Sequence, residues 1–157
     1  MLLSLTAGAL VLTACGPPPP APADGGTDVV SCRSDPRVEP WKPGLSRSSA
    51  DGSVRLVVGA SSPASGANPV RGSYTWSLRV LDANGQPVAN PALAVKPWMP
   101  DHGHGTSVEA SFTPDGKGGY TVGPLYLFMA GVWQLPFTVT PPSGTRELVT
   151  FGLCVAG

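Results

Sequence analysis

Apolar and polar residues alternate along much of the chain from residue 54 onward, with the period of two that half-buried β-strands show. The clearest example is the segment 73–81, in which every second residue is large and apolar: Tyr74, Trp76, Leu78 and Val80. An Asn-Gly pair follows shortly afterwards and is able to adopt the positive φ angles of a tight turn. The segment is therefore predicted to be a strand that ends in such a turn.

Similar alternation, or a short apolar run, recurs along the rest of the chain, and no stretch has a convincing helical period. These strand predictions cover 54–58, 92–98, 107–112, 120–129, 133–139 and 147–155. The strand over 133–139 contains Pro136, which lacks an N–H donor, so we expect it to be an edge strand or locally irregular. Turns rich in Gly, Pro and Asn separate the segments. The pattern predicts an all-β fold, an immunoglobulin-like antiparallel β-sandwich of about seven strands.

The N-terminal residues have the pattern of an exported lipoprotein. Residues 1–14 are nearly all apolar or small, and we predict a signal peptide because the run is too short to cross a bilayer as a helix. The sequence Leu-Thr-Ala-Cys that ends at Cys15 resembles a bacterial lipobox, which makes Cys15 the predicted lipidation site. No Lys or Arg precedes the apolar run, so we expect the start codon to lie upstream of Met1.

Residues 15–31 follow as a tether whose Pro and Gly content does not suit a packed core. Residues 32–157 then form one predicted β-sandwich domain. By analogy with the lipoproteins of Gram-negative bacteria, Gly16, a residue other than aspartate after the lipid cysteine, predicts an outer-membrane lipoprotein of the cell envelope, facing the periplasm or the surface. The 10 basic and 10 acidic residues give a formal net charge of zero, which argues against nucleic acid as a partner. The lipid is the only membrane attachment that the sequence predicts.

Two further cysteines, Cys32 and Cys154, lie at the two ends of the predicted domain. Outside the cytoplasm, two such thiols are expected to form a disulfide. Closing so long a loop stabilises a fold by about 4–5 kcal/mol on the chain-entropy account. The alternative is that both thiols are soft metal ligands.

The stretch Trp-Met-Pro-Asp-His-Gly-His-Gly over 98–105 contains both histidines of the chain, His102 and His104, beside Met99. If the stretch is extended, the two imidazoles point to the same side. Met129 follows the apolar run of a later strand and is expected to meet Met99 at one end of the sandwich. Imidazole suits copper and zinc, and thioether sulfur selects Cu(I). The four residues therefore predict a copper site that prefers Cu(I), although the same stretch also suits a structural turn with core methionines or a protein contact surface.

An enzyme is not expected. Ser, His and Asp are present, but no spacing among them matches a nucleophile elbow or another catalytic triad arrangement. A hydrolytic zinc site would require a third N or O ligand, and no His-Glu-x-x-His sequence is present.

Several short motifs follow one another along the chain: Cys-x-x-Asp-Pro-Arg (32–37), Tyr-x-Trp (74–76), Trp-Met-Pro-Asp-His-Gly-His-Gly (98–105), Gly-Gly-Tyr (118–120), Met-x-Gly-x-Trp (129–133) and Phe-x-x-Cys-Val (151–155). Their order resembles the YtkA-like domain family, which is related to FixH and is found in many exported bacterial lipoproteins. The resemblance spans roughly residues 32–157 and implies an immunoglobulin-like sandwich. It also implies a role in copper handling, because relatives occur near copper and oxidase maturation systems.

Two functions fit these observations. The first is a periplasmic, lipid-anchored protein that binds or delivers copper, with a metalloprotein acceptor or another envelope protein as its partner. The second is a surface-tethered interaction or scaffold module that binds no metal, in which exposed tryptophans such as Trp41 or Trp98 would contact the partner. Trp76 and Trp133 are expected in the core.

Overall fold

The computed structural model describes residues 32–142 and 144–157, and these form an all-β fold. The predicted signal peptide, the lipidation site Cys15 and the tether all lie outside the described residues. The strands are β1 (Ser46–Ser48), β2 (Val54–Ser62), β3 (Gly72–Asp82), β4 (Ala92–Val95), β5 (Trp98–Met99), β6 (His104–Gly105), β7 (Ser111–Pro114), β8 (Gly119–Leu127), β9 (Gly131–Thr140) and β10 (Glu147–Val155). Within the described part of the chain, no helix is long and apolar enough to cross a membrane.

The strands form two antiparallel sheets. One has the order β1-β2-β3-β8-β7, and the other has the order β10-β9-β5-β6, with β4 also paired to β9. If β4 and β5 are taken as one interrupted strand and the short β1 and β6 are set aside, seven main strands remain. Counted in chain order, these seven strands are arranged 1-2-5-4 in one sheet (β2, β3, β8, β7) and 3-6-7 in the other (β4 with β5, β9, β10). This is the arrangement of an immunoglobulin constant-type sandwich. The predicted fold class is confirmed, and the count rises to ten because of these short pieces.

The interruption between β4 and β5 lies opposite Pro136. Val95 pairs with Phe137 and Trp98 pairs with Gln134, so both strands keep one register along β9. Residues 96 and 97 are not paired with β9, although the same register would bring Lys96 opposite Pro136. The expectation of an edge strand is wrong, because β9 also pairs with β10 along its whole length. The expected local irregularity is confirmed, and the missing N–H of Pro136 accounts for it.

The strand predicted over 107–112 starts later than expected, since β7 begins at Ser111. The Thr106 side-chain oxygen accepts a hydrogen bond from the backbone N–H of Val108 at 3.0 Å. Thr106 is buried, whereas Val108 is exposed. A side-chain contact of this kind competes with strand pairing, so 107–110 forms a loop despite its alternating pattern.

The centre of the core is an aromatic cluster around Trp76, whose ring packs at 6.5 Å from Phe137, 6.2 Å from Phe151 and 6.4 Å from Trp41. Trp76, Phe137 and Phe151 come from β3, β9 and β10, so their contacts join the two sheets. Phe137 and Phe151 are fully buried and Trp76 nearly so. Aromatic pairs at such distances add to the hydrophobic stabilisation of the interface. The alternating apolar positions of β3, β9 and β10 on which those strand predictions were based are buried in this core.

A second, smaller apolar cluster lies on the outer face of β9 and β10, and it contains Cys32, Val132 and Cys154 with Val38 packed against it. The predicted disulfide between Cys32 and Cys154 is confirmed, with the Cα atoms 5.4 Å apart. The alternative of two metal-binding thiols is therefore wrong. Cys154 lies on the opposite face of β10 from the inward-facing Leu153, and it is buried because the segment 32–39 covers this outer face.

Gly152 is the point at which this covering segment approaches the sheet most closely. An added Cβ at Gly152 would collide with the carbonyl oxygen of Arg37 and lie 3.3 Å from the Cα of Val38. The Gly152 carbonyl also accepts a hydrogen bond of 3.0 Å from the N–H of Glu39. Only a residue without a side chain permits this contact.

We therefore predict that Gly152→Ala lowers the free energy of unfolding by about 1–3 kcal/mol, because the added methyl group must displace backbone atoms. The matched control is Gly66→Ala, since an added Cβ at Gly66 has no atom within 4 Å. The control should change the free energy of unfolding by less than about 0.5 kcal/mol. Urea denaturation of both variants measures the difference, and equal stabilities would contradict the close approach.

Candidate metal centre

The two histidines lie on a tight β-hairpin at the end of the second sheet. Met99 of β5 pairs with His104 of β6, and the turn between them runs through residues 100–103. The N–H groups of His102 and Gly103 both donate to the Met99 carbonyl oxygen, at 3.3 and 3.0 Å. Gly103 has φ +67°, which favours glycine. The stretch is thus not extended as the sequence argument assumed, and a turn brings the two imidazoles together.

Gly105 fixes this hairpin against the interruption between β4 and β5. An added Cβ at Gly105 would collide with the carbonyl oxygen of Pro97. The same carbonyl accepts a hydrogen bond from the N–H of Thr106 at 3.4 Å. The hairpin therefore folds back on the chain that precedes it, and this close approach explains why a glycine follows His104.

The imidazoles lie next to each other at the surface. Their ring centroids are 5.6 Å apart, and the His104 ring also stacks on Phe128 at 5.9 Å with an interplanar angle of 19°. Phe128 in turn makes an edge contact with Trp133 at 5.4 Å. His102 is exposed and His104 is half-buried. One imidazole is thus held by an aromatic neighbour, while the other faces solvent.

Met99 lies beneath the hairpin and is fully buried in the main core. Its Cε atom is 3.2 Å from the position that a Cβ would take at Gly131, so the thioether end reaches the connection between β8 and β9. That connection contains Met129, which is half-buried and packs against the core. The Met129 carbonyl accepts a hydrogen bond of 2.9 Å from the Trp133 indole N–H, which ties the connection to β9.

A shallow pocket of about 280 Å³ lies between the histidine hairpin and the connection from β8 to β9. His102 and Asp101 line one side of it, and Ala130, Gly131 and Val132 line another. The hairpin that carries both histidines and the connection that carries Met129 therefore border the same pocket.

The available donors are two imidazole nitrogens and two thioether sulfurs. Within residues 32–142 and 144–157, no group of three or more His, Cys, Asp or Glu side chains is arranged to hold a metal ion. The ligand set predicted from the sequence adds the thioether groups of Met99 and Met129 to the two imidazoles. Such a donor set suits a soft cation and suits zinc poorly.

Sequence reasoning missed Arg37, which forms paired hydrogen bonds to two carboxylates. Its guanidinium donates to both oxygens of Asp101 at 2.7 and 2.8 Å and to both oxygens of Asp35 at 2.8 and 2.6 Å. Both carboxyl pKa values are lowered, chiefly by hydrogen bonds from Arg37, and that of Asp35 falls to about 2. The pKa of Arg37 is raised by the same contacts. Asp101 thus contacts Arg37 through both of its carboxylate oxygens.

Exposed apolar side chains surround the histidine hairpin. Trp98, Val108 and Tyr126 are 38%, 40% and 40% exposed, and they lie beside Phe128 and His104. A groove of about 770 Å³ runs along the hairpin from β4 to the 106–110 loop. Trp41 is buried, so of the two tryptophans proposed as contact residues only Trp98 lies at the surface. Trp76 and Trp133 are in the core, as predicted.

The YtkA-like family model matches residues 48–138. The match covers more than half of the chain, including the whole histidine hairpin and the connection with Met129. The chain belongs to the YtkA-like family. The matched region begins at the end of β1 and stops within β9, so it is shorter than the resemblance over residues 32–157 suggested. The disulfide and Arg37 lie outside the YtkA-like region. Comparison with curated proteins and with solved structures returned no match.

We predict that Arg37→Gln returns the pKa of the Asp35 carboxyl from about 2 towards its ordinary 3.8, because the charged hydrogen bonds that favour the carboxylate are lost. A group with a lowered pKa contributes stability above its unfolded pKa and loses it as the pH falls. The Asp35 contribution is therefore present above about pH 4 and is lost towards pH 2 in the unaltered chain.

Carboxyl NMR titration measures this change, and Asp51 is an internal control. The pKa of Asp51 is also lowered to about 2, but by hydrogen bonds from Ser49 and Ser53. It should therefore stay unchanged in Arg37→Gln. If the Asp35 pKa is the same in both proteins, Arg37 does not make the contact described.

Proposed function

We propose that this YtkA-like chain is an exported, lipid-anchored protein that binds copper and delivers it to a partner, without enzymatic activity of its own. The proposed ligands are Met99, His102, His104 and Met129, with Cu(I) as the preferred state. The anchor would be the lipid on Cys15, and the domain would face the periplasm or the surface from the outer membrane.

The observation that carries this proposal is the pairing of Met99 with His104 on the hairpin, with the Met99 Cε against Gly131. Directly paired residues of neighbouring strands have their side chains on the same face, so Met99 and His104 share one face of the hairpin. The contact of the Met99 Cε with Gly131, two residues after Met129, supports the proposed grouping of thioether and imidazole ligands. Soft sulfur ligands beside neutral imidazoles are the combination that favours Cu(I) over harder divalent ions.

The surroundings of the proposed ligands also suit a soft monovalent ion. Met99 is fully buried and the His104 ring stacks on Phe128, so the inner side of the site is apolar. His102 lies on the outer, exposed side. A ligand set with one open side permits transfer of the ion to an acceptor metalloprotein, which is the partner that we propose.

Titration of the purified chain with Cu(I), in competition with a chromogenic chelator, tests the proposal. We expect one Cu(I) per chain, with an affinity tighter than micromolar. The variant His102→Ala/His104→Ala should lose at least about 100-fold in affinity, because both nitrogen ligands are removed. Met129→Leu removes one thioether at nearly constant volume and should weaken Cu(I) binding without unfolding the chain.

Leu148→Met is the matched control, because Leu148 is exposed on β10 and away from the hairpin. It adds a surface thioether elsewhere and should leave the affinity unchanged. Binding that is micromolar or weaker, and equal in the chain with and without its two histidines, would refute the copper proposal.

The second candidate is an interaction or scaffold module that binds no metal. The exposed Trp98, Val108 and Tyr126 around the groove favour it, because large apolar side chains rimmed by polar surface anchor protein contacts. Under this proposal, Trp98→Ala should abolish recovery of an envelope partner by cross-linking. The histidine double variant should change only thermal stability.

A further inference from the structure

The segment 32–39 is fastened to the second sheet at both of its ends. The disulfide joins Cys32 to Cys154 of β10. At the other end, the N–H of Glu39 donates to the Gly152 carbonyl, and the Arg37 carbonyl lies against Gly152 where no side chain fits. The backbone of Arg37 is therefore held in place by β10, independently of its side chain.

The side chain of Arg37 leaves this fixed backbone and reaches the histidine hairpin. Within the same segment, the Asp35 carboxylate accepts two hydrogen bonds from the Arg37 guanidinium. It accepts a third, of 2.8 Å, from the Arg37 backbone N–H. The remaining donors of the guanidinium contact Asp101, which lies 64 residues away in sequence and directly precedes His102. A planar guanidinium with paired contacts on both sides fixes direction as well as distance.

We propose that Arg37 is a positioning residue for the metal site: its paired contact with Asp101 holds the turn that carries His102 in the binding conformation. The backbone hydrogen bonds of the turn run to Met99 within the hairpin, whereas the contact with Arg37 ties the exposed residues 101–103 to the segment 32–39. His102 is thus presented towards the pocket that it shares with Ala130 and Gly131.

The exposure of this contact argues for a positioning role over a stabilising one. The Arg37 and Asp101 side chains are 35% and 51% exposed, and exposed ion pairs contribute little to global stability. Arg37 acts on the proposed ligand His102 through its contact with Asp101. Loss of a residue that orients a metal ligand without binding the metal itself lowers metal affinity strongly. Arg37 also lies outside the YtkA-like region of the chain, which begins at residue 48.

The role of Arg37 in metal binding rests on the proposed copper function, but its hold on the turn is measurable without metal. Amide hydrogen exchange of the metal-free chain reports the turn, because the N–H groups of His102 and Gly103 both donate to Met99. We expect Arg37→Gln to accelerate exchange at these two amides by roughly tenfold, as local opening becomes easier. Asp101→Asn, which weakens the contact from the hairpin side, should act in the same direction.

Cu(I) competition on the same variants measures the consequence for binding. Arg37→Gln should weaken Cu(I) binding by about 10- to 100-fold with little change in the unfolding midpoint. Arg37→Lys keeps the charge but loses the paired geometry, and should restore only part of the affinity. A merely structural role would instead lower the unfolding midpoint and leave affinity unchanged at temperatures where the chain is folded.

Arg47→Gln is the matched control, because Arg47 makes a similar exposed ion pair with Glu39 at 2.6 Å. It should leave both exchange at the turn and Cu(I) affinity unchanged. Unaltered exchange in Arg37→Gln, or equal acceleration in Arg47→Gln, would overturn the positioning role. Failure of the unaltered chain to bind Cu(I) would overturn the copper function, and the metal-free exchange result would still decide whether Arg37 holds the turn.

Discussion

Two prolines lie where neighbouring strands of the second sheet would otherwise form a continuous ladder, and the shape of the candidate site depends on them. Pro97 and Pro136 have no N–H to donate, and the strand that faces β9 is interrupted at this point. The Pro97 carbonyl instead accepts a hydrogen bond from Thr106, on the far side of the histidine hairpin. A break in the sheet thus provides the surface on which the hairpin folds back.

Two glycines allow backbone segments to approach closely enough for the histidine hairpin and the segment 32–39 to pack against the second sheet. Gly105 lies against the Pro97 carbonyl, and Gly152 lies against the Arg37 carbonyl, so a side chain at either position would push neighbouring backbone away. The first contact closes the hairpin, and the second fastens the segment that carries Arg37. Between them, the histidine turn is held from the sheet side and from the covering segment.

The site that results has a graded environment. Its inner thioether is fully buried, one imidazole stacks on an aromatic ring, and the other imidazole is exposed beside an ion pair. Under the proposed copper function, such a gradient would separate retention of a soft ion on the apolar side from access by a partner on the exposed side. The exposed Trp98, Val108 and Tyr126 lie along the His104 and Phe128 side of the hairpin, whereas His102 lines a separate pocket with Ala130 and Gly131.

The sequence alone determined the strands whose alternation reflects burial, such as 73–81, because side-chain period is a local property of the backbone. It also predicted the disulfide, which the structure confirms. The grouping of Met99, His102, His104 and Met129 as metal ligands stays a prediction. Only the tertiary structure decided that 107–110 is a loop, that Cys154 is covered and that Asp101 contacts Arg37. Each of these depends on a contact that the alternation of apolar and polar residues does not encode. The contacts are the hydrogen bond from the Val108 N–H to Thr106, the segment 32–39 over the outer face of β9 and β10, and the ion pair between Arg37 and Asp101, 64 positions apart.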